Sequence, residues 1–266
     1  MKAIVCTKYG PPDALQLKEG EKPTPKDNEI LIRVYAATVT AGDCEMRRFD
    51  MPILFWLPLR IYMGLFKPRK NILGQELAGE VESVGREVTQ FRPGDQVFAA
   101  TGFVLGAYAE YVCLPDKNSM GITMAAKPAN MGYEEAAAVP VGGLNALHFL
   151  KKANVQQGKK ILIYGTSGSI GTFAVQLAKH LGAEVTGVCS AGKMDLVKSL
   201  GADKVIDYTK EDFTQNGETY DVIFDTVGKS PFTRSLGSLK RDGVYLLANP
   251  RLSGMLRGLW TSMTDQ

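Results

Sequence analysis

The chain is poor in the residues that build metal centres and disulfide frameworks. Its 266 residues include four cysteines and two histidines. Cys6, Cys44, Cys113 and Cys189 are scattered, with neither metal-ligand nor disulfide spacing, which is the usage of a reduced cytosolic protein. His148 and His180 fall in stretches of helical pattern and read as structural or surface groups rather than ligands. No charge of one sign dominates: 31 Lys and Arg face 28 Asp and Glu, and no basic stripe points to nucleic acid. Long hydrophobic runs are missing too. The most apolar stretch, 51–66, is interrupted by Pro52, Pro58 and Arg60 and is shorter than a membrane span. The apolar run after Met1 is too short for a secretory signal. There is no internal repeat and no low-complexity tract.

What the chain does have is a glycine turn in the right place. Gly165-Thr166-Ser167-Gly168-Ser169-Ile170-Gly171 follows an apolar run, 160–164, that reads as a buried parallel strand. After it, residues 172–181 carry Phe173, Val175, Leu177, Ala178 and Leu181 at helical spacing. Strand, glycine turn and helix together let backbone N–H groups approach a pyrophosphate at a helix N-terminus. The spacing G-x-x-G-x-x-G differs from the commonest fingerprint, so its context carries the weight; a plain structural turn is the alternative. Further apolar runs at 184–188, 204–206, 221–225 and 243–247, with helical pieces between them, predict a parallel α/β sheet.

The first half has another character. Short strands are expected at 3–5, 15–17, 29–37, 78–84, 96–99 and 107–112, without regular helices between them, separated by turns such as Arg92-Pro93-Gly94-Asp95. Two domains follow: a β-rich one over 1–125 and a nucleotide-binding one over 126–266. Residues 126–153 carry the crossing, with 134–152 largely helical and interrupted at Pro140 and Gly142-Gly143. The simplest reading of 51–66 is a helix or loop packed at the domain interface. An apolar wall or lid over the substrate is a second reading, and contact with a membrane surface a third. Exposure of Trp56 or Phe55 raises the last two.

Several stretches together resemble the medium-chain dehydrogenase/reductase superfamily, in its zinc-free quinone oxidoreductase-like branch. They are Met1-Lys2-Ala3-Ile4-Val5, Ala78-Gly79-Glu80-Val81 with Val84-Gly85, Phe91-Arg92-Pro93-Gly94-Asp95-Gln96-Val97, Gly106-Ala107-Tyr108-Ala109-Glu110-Tyr111, Glu135-Ala136-Ala137-Ala138-Val139-Pro140, the glycine turn, and Leu200-Gly201-Ala202-Asp203 with Val205-Ile206-Asp207-Tyr208. The resemblance implies an α/β protein: a GroES-like β-rich domain, then a Rossmann doubly wound parallel sheet, with the active site in the cleft between them. Where zinc enzymes of the superfamily carry their ligands, this sequence has Thr40, Gln75 and about Val141. A hydroxyl, an amide and an aliphatic group do not make a zinc site.

The nicotinamide cofactor is expected to be NADP(H). After the second strand of the nucleotide domain comes Cys189-Ser190-Ala191-Gly192-Lys193, without the carboxylate that NAD-specific sites offer to the ribose. Ser190, Lys193 and Tyr208 supply hydroxyls and a cation for an extra phosphate, and the resemblance places matching Lys and Tyr residues there. Thr226, Val227 and Asn249, at the ends of the fourth and fifth strands, are further cofactor candidates, and Asn145 a weaker one. Without zinc, a conjugated acceptor is easier to reduce than a simple alcohol is to oxidise. NADPH-dependent reduction of quinones or α,β-unsaturated carbonyls is therefore the expected activity. Thr40 is the candidate donor and Asp43 its organiser, with turn or strand-end bonding as the alternative for both.

The resemblance also implies a sixth Rossmann strand and a return to the β-domain, which this sequence does not contain. A sheet lacking its last strand, an amphipathic helix over 252–263 and a homodimer without its usual sixth-strand interface are the expectations. A cofactor-binding but catalytically silent protein, and an alcohol dehydrogenase-like enzyme, remain as alternative functions.

Overall fold

The computed structural model describes residues 1–50, 53–117 and 121–249, the side chains of 53–55 excepted. The helix expected over 252–263 therefore lies outside the described residues. The chain divides into two compact units, Met1–Val141 and Gly142–Gln266.

In the first unit, β1 (Lys2–Cys6) and β2 (Leu15–Glu19) form an antiparallel pair. After them come β3 (Glu29–Ala37), helices α1 (Ala41–Arg48) and α2 (Ile53–Met63), and then β4 (Glu76–Val84), β5 (Gln96–Thr101), β6 (Tyr111–Pro115) and β7 (Ile122–Ala126). Strands β3 to β7 make one antiparallel sheet in the order β6-β3-β4-β5-β7. Its core is built on Ile30, Ile32, Leu77, Val81, Val97, Val112 and Leu114.

The sheet differs from the expectation in two ways. Helix α1 lies where no helix was expected, and it rests on cap chemistry rather than on a long apolar pattern, whereas α2 falls in the 51–66 stretch read as a helix or loop. The strand expected over 107–112 begins at Tyr111, because Ala107 and Tyr108 donate instead to the carbonyls of Gly74 and Leu73. The first unit also reaches further than residue 125. Strand β7 pairs with β5, and α3 (Tyr133–Ala137) buries Ala136 and Ala137 against Ala78 of β4. Helix α4 (Pro140–Lys152) runs through Gly142-Gly143 without a break, and the interruption falls ahead of Pro140, which suits a first helical position.

In the second unit, β8 (Lys160–Tyr164), β9 (Glu184–Cys189), β10 (Lys204–Asp207), β11 (Tyr220–Asp225) and β12 (Leu239–Leu247) form a parallel sheet in the order β10-β9-β8-β11-β12. Helices α5 (Ser169–His180), α6 (Met194–Ser199) and α7 (Phe232–Gly237) connect them. Two hydrophobic clusters account for the unbroken apolar strands. Ile161, Ile163, Val185, Val222 and Phe224 pack with Ala174, Val175 and Ala178 of α5; Leu162, Val188 and Ile223 pack with Ile206, Phe213 and Tyr220. The strand order reverses between β8 and β11, so the carboxyl ends of these strands form the switch point. No described helix is long and apolar enough to cross a membrane.

Candidate cofactor site and the Thr40–Asp43 loop

At the end of β8 the chain turns sharply. Gly165 takes φ +90°, and a Cβ there would stand 2.7 Å from Thr226 Oγ1 and 2.8 Å from Val227 Cγ1. Gly171, on the first turn of α5, is equally constrained: a Cβ would lie 2.3 Å from the Gly165 carbonyl oxygen. Gly168 differs. It is the N-cap of α5 and makes no side-chain cap, and a Cβ on it would meet only Gly165 O at 3.5 Å. Two of the three glycines are thus demanded by the fold. The third leaves bare backbone beside the unpaired first-turn N–H groups of α5, an arrangement suited to an anion.

Gly165 and Gly168 line an open cleft of about 380 Å³ together with Tyr164, Ser167, Val188, Cys189, Ser190, Tyr208, Val227 and Lys229. Of the residues expected at the cofactor, Gly165, Ser167, Gly168, Ser190, Tyr208 and Val227 meet in this one place. The others do not line it. Thr166 is fully buried and donates its hydroxyl to Val188 O at 3.1 Å, holding the turn to β9. Ile170 packs into the core beneath α5. Thr226 Oγ1 bonds the carbonyl of Tyr164 at 2.9 Å, and Asn249 Nδ2 bonds Thr226 O at 2.9 Å, so both tie strand ends together. Ser169, Gly171 and Asn145 lie on helices, and Lys193 is exposed on the turn after Ser190.

Three groups were not assigned to the site from the sequence. Lys229 lines the cleft, and its ammonium forms no hydrogen bond or ion pair with any described residue. Asp225, buried at the end of β11, shapes the loop that carries it. Its Oδ1 accepts the N–H groups of Val227 (2.9 Å) and Gly228 (2.8 Å), and its Oδ2 that of Ser230 (2.8 Å). The sequence signal was available: an acid closing a buried strand just before a Thr-Val-Gly turn. Asp207, quoted above only as part of the resemblance, was given no place in the site. It pairs in register with Cys189, so the third strand brings a carboxylate beside the turn where the second offers none. Bonds from the Thr209 hydroxyl and N–H hold it below the usual carboxylate range.

In the first unit, the Thr40–Asp43 loop opens α1. Thr40 caps the helix: its Oγ1 accepts the Asp43 N–H at 3.2 Å, while its own N–H and hydroxyl donate to Asp43 Oδ2 at 2.9 and 2.7 Å. The fold also gathers Gln75, whose Oε1 lies 3.4 Å from Thr40 Oγ1, and Glu76, which accepts the Val141 N–H at 2.6 Å and the Thr38 hydroxyl. Thr40 thus meets the buried Asp43 carboxylate, and the Val141 N–H the buried Glu76 carboxylate. Asp43 Oδ1 and Tyr108 Oη are both buried and make no hydrogen bond of standard geometry, and the phenol interacts with the Asp43 carboxylate. Burial first, and then the Asp43 charge, push the Tyr108 phenol well up. Among the described residues no group of three or more His, Cys, Asp or Glu is placed to hold a metal ion.

Comparison with known proteins agrees with both units. Residues 26–123 match the alcohol dehydrogenase GroES-like domain family, and residues 169–248 the zinc-binding dehydrogenase family. A chloroplastic quinone-oxidoreductase homolog of Spinacia oleracea is 33% identical over 282 residues, spanning 99% of this chain and 79% of its own. The chain belongs to the medium-chain dehydrogenase/reductase superfamily, in its quinone oxidoreductase-like branch. The 2-methylene-furan-3-one reductase of Solanum lycopersicum is 35% identical over 243 residues, which cover 86% of this chain but only 58% of that protein. Among solved structures, the quinone oxidoreductase from Coxiella burnetii superposes with a TM-score of 0.85 at 30% identity, covering 99% of this chain and 80% of that one. The Escherichia coli quinone oxidoreductase complexed with NADPH gives 0.79 at 28% identity, covering 97% and 78%.

Proposed function

We propose that the protein is an NADPH-dependent reductase of quinones or α,β-unsaturated carbonyls. The observation that carries this is the cleft at the carboxyl ends of β8 and β9: bare glycine backbone at a helix start, with Ser190, Tyr208 and Lys229 on the same walls. The site fits a phosphorylated dinucleotide. Gly168 leaves the room a pyrophosphate needs, and a free ammonium with two hydroxyls suits a further phosphate. Lys193 is assigned to the same phosphate from the neighbouring turn. The names of relatives support the acceptor class: one is a reductase of an enone, another a quinone oxidoreductase complexed with NADPH.

When bound, the nicotinamide supplies the hydride. The protein's part is orientation and polarisation. Asp225 fixes the loop bearing Val227 and Lys229, and α5 presents its first-turn N–H groups. Thr40 is assigned to the acceptor oxygen, with Asp43 as its organiser. The Thr40 hydroxyl has one proton, now directed at Asp43 Oδ2, so donating to a substrate requires that bond to turn outward.

NADPH oxidation by the purified full chain with 9,10-phenanthrenequinone or an alkenal tests this reading. Turnover with NADPH exceeding that with NADH is expected. NADPH binding without turnover would identify a silent cofactor-binding protein instead, and alcohol oxidation that depends on bound zinc would identify an alcohol dehydrogenase.

A further inference from the structure

Helix α2 is oriented against the usual rule: its charge faces inward and its apolar side chains face out. The Arg60 guanidinium lies 3.9 Å over the Tyr9 ring, 4.6 Å from Phe49 and 5.4 Å from Trp56, and its Nε donates to Leu65 O at 2.8 Å. Tyr9 Oη also donates to Gly64 O at 3.1 Å. The helix is therefore fastened through its one cation. Outward go Leu57, Ile61, Tyr62, Leu65 and Phe66, the last 84% exposed, with Phe103 nearby on the loop after β5. Contiguous apolar surface of this kind marks an interaction site.

Beside this face is a small recess of about 140 Å³, lined by Met46, Tyr62, Met63, Phe103 and Leu105 and by the cations Arg69 and Lys70. Across residues 51–70 there are four cations, Arg60, Lys67, Arg69 and Lys70, and no acid. Two partners suit apolar surface, but charge separates them. A second copy placed face to face would bring these cations against their own equivalents. An anionic bilayer surface offers the opposite charge and an apolar layer just beneath it. Tyr62 and Trp56 are of the amphipathic aromatic type that settles at that boundary. With 11 residues, α2 is far too short to span, so the contact is one of lying on the surface.

We propose that α2 and the loop after it, through Lys70, dock this protein on an anionic lipid bilayer. Leu57, Ile61, Leu65 and Phe66 enter the headgroup boundary, while Lys67 and Arg69 meet lipid phosphates. The contact is independent of the cofactor reading.

The test is co-sedimentation of the full chain with vesicles of phosphatidylcholine alone and of phosphatidylcholine with phosphatidylglycerol, at low and high salt. Binding to the anionic vesicles, weakened by salt, is expected. Lys67→Ser combined with Arg69→Ser should lower partitioning by about tenfold or more. Ile61→Ser combined with Phe66→Ser should lower it similarly. Both pairs are solvent-exposed, so thermal melting should stay near that of the parent; if the apolar pair fails to fold, the charge pair decides the outcome. Failure to sediment with anionic vesicles at low salt overturns the proposal, as does binding that neither pair alters. Dimerisation in light scattering that is lost in the Ile61/Phe66 variant, without vesicle binding, would assign the face to a second copy and overturn it as well.

Discussion

Thr40 and Asp43 cap one another. Thr40 Oγ1 donates to Asp43 Oδ2 at 2.7 Å and accepts the Asp43 N–H at 3.2 Å, closing the first turn of α1. The hydroxyl assigned to the substrate is thus also a structural group. Thr40→Ala should destabilise the protein by about 1 kcal/mol, seen as a lower melting temperature. Thr40→Ser keeps the cap and the hydroxyl, so it should keep both stability and turnover. If Thr40→Ala loses stability but retains kcat, the residue is a cap alone and its assignment to the acceptor oxygen fails.

The three glycines of the turn should behave differently under substitution. Alanine at Gly165 or Gly171 meets backbone or side-chain atoms closer than 3 Å, and Gly165 also has φ +90°. Both variants should be strongly destabilised. Gly168→Ala meets nothing nearer than 3.5 Å and should fold within about 0.5 kcal/mol of the parent. Its added methyl occupies the space assigned to the pyrophosphate, so NADPH affinity should drop. Calorimetric titration of a well-folded Gly168→Ala variant that binds NADPH as tightly as the parent would count against the placement.

Lys229 and Lys193 separate phosphate recognition from general cofactor binding. Replacing a charge-assisted contact costs about 1.5–3 kcal/mol, or roughly ten- to a hundredfold in affinity. Lys229→Ala should raise the NADPH dissociation constant by that amount and leave NADH nearly unchanged. Equal losses for both nucleotides would move Lys229 to the pyrophosphate. Lys193→Ala, on the neighbouring turn, should show a smaller effect of the same sign.

Asp225 organises three N–H groups at once. Asp225→Asn forfeits the charge and part of that bonding, and should cost about 2 kcal/mol or more because the carboxylate is buried. NADPH binding should weaken with it, since Val227 and Lys229 sit on the loop it shapes. Unchanged hydrogen exchange at Val227, Gly228 and Ser230 in this variant would contradict the role.

The alkaline limit of stability should depend on Tyr108 and Tyr245. Burial is the main cause lifting both phenols; the Asp43 charge adds to it at Tyr108, while a Ser230 bond opposes it at Tyr245. The folded state keeps protons that the unfolded chain releases near pH 10. Their contribution is complete below about pH 10 and is lost as pH rises towards the folded values. Denaturant midpoints should therefore fall in that range, and Tyr108→Phe or Tyr245→Phe should flatten the fall.

The parallel unit was legible because its signals are local. Unbroken apolar strands such as 160–164, the glycine turn and the helix after it follow one another along the chain, and period and turn chemistry suffice to read them. The first unit was less so. Helix α1 depends on a cap between residues three apart, with little apolar pattern behind it, and β6 starts late because Ala107 and Tyr108 bond residues more than thirty positions earlier.

By itself, the sequence determined the two kinds of architecture and the glycine turn with its strand and helix. Only the tertiary structure decided which side chains share a space. It buried Thr166 and Thr226 in strand-end hydrogen bonds, brought Lys229 and Asp207 to the carboxyl end of the sheet, and turned the apolar side of α2 outward. The physical reason is that periodicity and spacing report the neighbours of a residue along the chain. The partners of a hydroxyl or an ammonium are set by strand order and register, and these join segments that no local pattern connects.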